Sequence, residues 1–195
     1  MNPIVQRARI LRVQPFTTEN NVNKKSLTIL LSLATFAASA AMTEPAGLNE
    51  KLRPAADEQL AFVLAAQGVQ VYACKPSPKD PYAYAWAFIA PEAALSEGGS
   101  IVGRHYAGPT WESSSDGSSV KGTVRERQDG GYGNIPLLLL GGTAGPKDGK
   151  FAGVTSVQRV ATRGGVEPAD KCDASNAGKE LRVPYTADYY FYKRK

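Results

Sequence analysis

The sequence predicts a mainly β fold, an antiparallel β-barrel or β-sandwich with one short N-terminal helix. Three observations carry that reading. Apolar residues recur with period two through most of the chain, 19 glycines and 13 prolines punctuate it, and only one stretch shows a helical stripe.

Residues 41–53 are polar, lack periodicity and read as a flexible start. Pro54 then stands where a helix would begin, with Asp57 and Glu58 in its first turn. Leu60, Val63 and Leu64 form an apolar stripe, and Gly68 is placed to end it. From there the pattern changes. Val69, Val71 and Ala73 alternate with Gln70, Tyr72 and Cys74, a strand running into the first cysteine. Residues 75–81 hold three prolines and must be a loop. Tyr84, Trp86 and Phe88 alternate with alanines, as in a strand with one bulky and one crowded face.

Residues 101–106 and 109–112 flank Gly108 as two further strands, and Asp116-Gly117 marks a turn. Residues 120–127 lead out of that turn with Val120, Gly122 and Val124 on one side. Leu137 to Leu140 is a fully apolar run, read as a strand buried on both faces, and residues 141–149 as a glycine-rich connection. Residues 151–162 alternate again, with Val157 on one face and Val160 on the other. A polar excursion over 163–179 holds Cys172, and residues 181–192, rich in Tyr and β-branched side chains, make a final strand.

Ahead of this domain lies an export signal. Lys24 and Lys25 give a positive start, residues 27–37 an apolar core, and Ala38-Ser39-Ala40 the small-x-small pattern a signal peptidase reads. A transmembrane helix needs about 20 apolar residues, and Thr28, Ser32, Thr35 and Ser39 dilute this run too soon. The expected divisions are a leader over 1–40, a flexible segment over 41–53 and a single β-rich domain over 54–195. Translation beginning at Val22 would place the charges at the leader's start, as such signals require. The expected address is exported, either periplasmic or extracellular, with no transmembrane segment in the mature chain.

Removing 40 of the 195 residues leaves 155, enough for one core. The leader holds five basic residues and one acid, so only +1 of the chain's +5 stays with the mature part. Phosphate neutralisation therefore has no basic surface to use, which excludes nucleic acid as a partner. Cys74 and Cys172 stand 98 positions apart. In an oxidising compartment an isolated pair reads as a disulfide, worth up to about 4.7 kcal/mol for a loop of that size. Two buried free thiols, or a metal pair short of partners, are the alternatives.

Cofactor motifs are absent. Gly131-Tyr132-Gly133 lacks a third glycine and a following strand–helix unit, so a dinucleotide site is unsupported. Residues 145–150 have the wrong spacing for a phosphate loop, and Phe151 stands where Ser or Thr is needed. No cofactor and no metal are expected, since His105 is the single histidine and both cysteines are spoken for. A Gly-x-Ser-x-Gly nucleophile elbow is missing as well.

Residues 103–112 are the densest in recognition chemistry. Trp111 offers a face for stacking, while His105, Tyr106 and Glu112 offer polar contacts. The structural alternative has Trp111 in the core, Gly108-Pro109 as a bend and Glu112 in water. Glu92, Glu112 and Asp188 also invite a paired-carboxylate glycosidase, which needs a separation of about 5–9.5 Å.

From about Leu60 to Tyr192 the chain resembles a family of secreted bacterial and fungal proteins catalogued as a domain of unknown function, DUF3455. The stretches that carry the resemblance are GVQVYAC at 68–74, HYAGPTWE at 105–112, IPLLLL at 135–140, VQRVATRGG at 157–165 and VPYTADYYFY at 183–192. The resemblance implies secretion and a cysteine at each of the two places seen here, and it carries no catalytic residue. Some fungal relatives bear a malate dehydrogenase label, for which the missing nucleotide fingerprint gives no support. The expected function is that of a non-catalytic cell-envelope or extracellular binding module for an unknown small molecule or envelope glycan. The alternative is a hydrolase acting on an envelope polymer through His105 or Glu112.

Overall fold

A computed structural model describes residue 43 and residues 45–80 and 82–195. The leader and the Val22 start lie outside these residues. Eight antiparallel strands form one sheet: β1 (Glu58–Pro76), β2 (Tyr84–Glu97), β3 (Ser100–Tyr106), β4 (Thr110–Ser113), β5 (Ser119–Gln128), β6 (Leu137–Ala144), β7 (Val154–Gly164) and β8 (Glu180–Arg194). Each strand pairs with the next, and β8 pairs back with β1 from Glu58↔Arg194 to Ala73↔Glu180, so the strands form a closed ring. No helix among the described residues is long and apolar enough to cross a membrane.

The helix expected from Pro54 to Gly68 is not there. From Glu58 on, its residues form the first half of β1, with Phe62, Leu64 and Ala66 buried at period two. Long-range pairing with β8 overrides the local helical stripe, as tertiary context commonly does. Gly68 has a different purpose from ending a helix. A Cβ there would lie 2.1 Å from the Glu92 carbonyl oxygen, so the residue lets β1 and β2 cross closely. Gly141 and Gly142, expected in a connection, continue β6. In the N-terminal segment, Glu50–Leu52 forms one 3-10 turn. Leu52 is fully buried there, and its carbonyl accepts from Gln158 Nε2.

Inward-facing residues fill one end of the ring. Phe62 stacks on Phe191 at 4.7 Å, and Phe151 meets both edge-on at 5.5 and 5.2 Å. Leu64, Leu95, Val120, Leu140 and Val157 complete this core. A second cluster gathers Tyr72, Trp86 and the Cys74–Cys172 disulfide, whose Cα atoms are 5.6 Å apart.

The ring is uneven at its other end. β3 pairs with β2 only from Ala93↔His105 to Glu97↔Ser100, and β4 pairs with β5 only over Thr110 to Glu112. Residues 84–92 of β2 and 123–128 of β5 therefore have a strand on one side only. Both free edges are guarded. Ile89 and Arg125 are bulged out of register, and Pro91 lacks a donor. The opening between these edges leads to the site.

Candidate functional site

β3 and β4 are a short hairpin in which His105 faces Trp111 and Arg104 faces Glu112. Alternation along each strand then divides the four sequence-predicted site residues between two faces. His105 and Trp111 point into the ring, 2% and 1% exposed. Tyr106 and Glu112 point outward, where the Tyr106 hydroxyl donates to Glu112 Oε2 at 2.8 Å and Arg104 donates to Oε1 at 2.8 Å. Those bonds, from Tyr106 first and Arg104 second, hold the Glu112 carboxyl below the usual range. The structure brings His105 together with Trp111, and Tyr106 with Glu112. It does not bring His105 to Glu112.

The inward pair floors a chamber of about 410 Å³ at the open end. The His105 ring lies flat on Trp111, centroids 4.5 Å apart and planes 8° apart, and Tyr189 stands edge-on to both at 5.0 and 5.1 Å. Ile135, Leu138 and Leu140 contribute apolar wall, Phe88, Ile89, Pro91 and Val124 line the opening, and Arg127 also borders it. Phe88 and Ile89 are 53% and 41% exposed, apolar side chains that water reaches at this rim.

Polar groups in the chamber are few and specific. His105 Nδ1 is 2.8 Å from the Thr110 carbonyl oxygen, which only accepts, so Nδ1 carries the proton and Nε2 is an acceptor. Burial pushes the His105 pKa down to about 3, and the nearby Arg159 charge adds to the effect. A neutral imidazole with so low a pKa is a weak base at physiological pH. Trp111 Nε1 is buried and has no hydrogen-bond partner, and the buried Gln70 amide reaches the Tyr185 hydroxyl. Arg159 reaches the chamber from β7 between Leu138 of β6 and Tyr189 of β8, with Nε and Nη2 both donating to the Pro136 carbonyl.

Gln70 and Arg159 escaped the sequence reading although a signal exists. Gln70 stands at the inward parity of Phe62, Leu64 and Ala66, and Arg159 at that of Val157. A polar residue on an otherwise apolar face is the informative exception. The carboxylates proposed as a glycosidase pair are held elsewhere. Glu92 is ion-paired with Arg182, and Asp188 sits on β8 with its pKa raised by burial. Among the described residues no group of three or more His, Cys, Asp and Glu is placed to hold a metal.

The buried histidine makes stability depend on pH. Its folded pKa lies below the ordinary 6.5, so the unfolded chain binds the extra proton as pH falls through that value. The stabilising contribution is whole above about pH 6.5 and is lost progressively on acidification. Between pH 7 and pH 5 the loss should be about 2 kcal/mol. The lowered carboxylates Glu92, Glu112, Asp116 and Asp173 start from 4.5 or 3.8, and titrate below this window. Urea titrations at both pH values check it. Asp188, whose carboxyl pKa is raised by burial, binds its proton more readily in the folded chain and opposes the loss. His105→Asn should therefore flatten or reverse the slope, and an unchanged slope would assign it elsewhere.

Residues 54–193 match the family described as a protein of unknown function, DUF3455, and the chain belongs to that family. No curated protein and no solved structure matches it.

Proposed function

We propose that this member of the family is a non-catalytic binding module, a β-barrel exported to the periplasm or the extracellular space, that takes up a small, largely apolar molecule. The observation that carries the reading is the chamber itself. At about 410 Å³ it falls within the roughly 300–1,000 Å³ of ligand pockets, and it joins apolar walls to a few convergent polar groups. Its closed floor suits a small molecule better than a glycan polymer, which needs a groove open at both ends. Export is supported by the leader pattern of the sequence and by a disulfide, which persists in oxidising compartments. The separation of His105 from Glu112 to opposite faces weighs against hydrolysis through that pair.

The neutral dye N-phenyl-1-naphthylamine tests the reading, because its emission rises when water is removed. One dye per chain is expected to bind saturably. Leu138→Trp, which projects an indole into the chamber, should weaken uptake by about tenfold or more, a change of roughly 1.4 kcal/mol. Glu112→Gln on the outer face should leave it unchanged. Absence of saturable uptake, or indifference to Leu138→Trp in a folded variant, would overturn the proposal.

A further inference from the structure

We infer that the chamber's ligand is an anion, an apolar body carrying one carboxylate-like head that seats against Arg159, Gln70 and Trp111. This inference rests on the chamber-binding reading and goes a step beyond it, to the charge of the occupant. The first ground is the sign of the unmet hydrogen bonding. Trp111 Nε1 is a buried donor without a partner, and the indole has no acceptor to offer. The Gln70 amide, which also lines the chamber, reaches only the Tyr185 hydroxyl and adds a second donor N–H there. Groups of this kind are matched by an oxygen that only accepts, which an ionised acid presents twice over.

The second ground is charge. Arg159 lines an apolar chamber, yet no ion pair among the described residues includes it; its guanidinium donates only to neutral oxygens, the Pro136 carbonyl and the Tyr189 hydroxyl. Its field reaches the rings around it, opposing protonation of His105 and favouring the ionised form of Tyr72, Tyr185 and Tyr189. Glu167 acts on Tyr72 from an exposed position on the 165–179 loop. A neutral carbonyl would satisfy the two donors but leave the guanidinium uncompensated. A carboxylate answers both. Arg127, a second guanidinium beside the opening and outside every recorded ion pair, would draw an anion inward.

The test uses two ligands of nearly the same shape and different charge, 1-naphthylacetate and 1-naphthylacetamide, titrated calorimetrically into the oxidised mature protein. The acetate should bind at least about tenfold tighter than the amide. Arg159→Gln should abolish the preference, so that acetate and amide bind the variant with equal affinity; a preference retained in the folded variant would overturn the role of Arg159. Arg159→Lys should keep the preference. Equal binding of acetate and amide by the wild-type protein overturns the inference and leaves chamber binding standing; so does dye uptake with neither naphthyl compound bound. Failure of dye and both naphthyl compounds overturns the two readings together. If Arg159→Gln does not fold, the wild-type comparison decides alone.

Discussion

Trp111→Ala is expected to destabilise the protein by about 3–5 kcal/mol, the cost of deleting a large aromatic from a packed interior. In a domain of this size that lowers the melting temperature by roughly 6–20 °C. The indole is 1% exposed. It is stacked on His105, is met edge-on by Tyr189, and has Phe191 at 5.9 Å. Gly122 lies against its far end, where a Cβ would come within 2.8 Å of Cζ3, so the wall is shaped to the ring. Truncation removes these contacts and joins the void to the chamber, and the floor is lost with it. Thermal melts and dye uptake should therefore fail together. A variant that kept its melting temperature within about 2 °C would show that the indole is not the floor described here.

Reduction of Cys74–Cys172 is expected to cost about 2–5 kcal/mol. The bond spans 98 positions, so most of its effect comes from the freedom the unfolded chain regains. The folded state around it should change little, because the 165–179 loop has other anchors. The Tyr72 hydroxyl donates to the Gly165 carbonyl at 2.7 Å, Trp86 Nε1 to Asp170 at 2.8 Å, and Gly178 N to the Cys74 carbonyl at 2.8 Å. A melt with and without reductant measures the cost. Dye uptake below the reduced melting temperature should be preserved. Two free thiols in the native, oxidised protein would remove the bond from the account.

Strands were legible in the sequence wherever one face is buried, because period two survives any partner. The runs into Cys74, from Tyr84, and through Leu137–Leu140 and 181–192 all lie within strands. Period alone misled at residues 54–68. There Leu60, Val63 and Leu64 have helical spacing while Phe62, Leu64 and Ala66 have strand spacing, and the deciding contact is β8, more than 100 positions away. Burial of Leu138, Leu139 and Leu140 follows from an apolar run with no polar face to expose. The site was half legible. His105 and Trp111 belong together, but Tyr106 and Glu112 are their chain neighbours and so point the opposite way. Nearness in sequence on a strand separates side chains rather than gathering them. Gln70 and Arg159 needed the ring's closure to become neighbours of His105, and no local pattern encodes that closure.

The short β3–β4 hairpin leaves residues 84–92 and 123–128 unbridged, and this separates two properties that most pockets combine. Chamber shape belongs to inward residues of β1, β6, β7 and β8 and to the His105–Trp111 pair that the hairpin holds on its inner face. The width of its opening belongs to how far one hairpin reaches. Changes of length in the 107–109 turn that keep the His105–Trp111 pairing would lengthen or shorten that reach while the floor stays in place. Aperture, and with it the exchange rate and upper size of whatever enters, is thus free to diverge among related chains while the interior stays fixed.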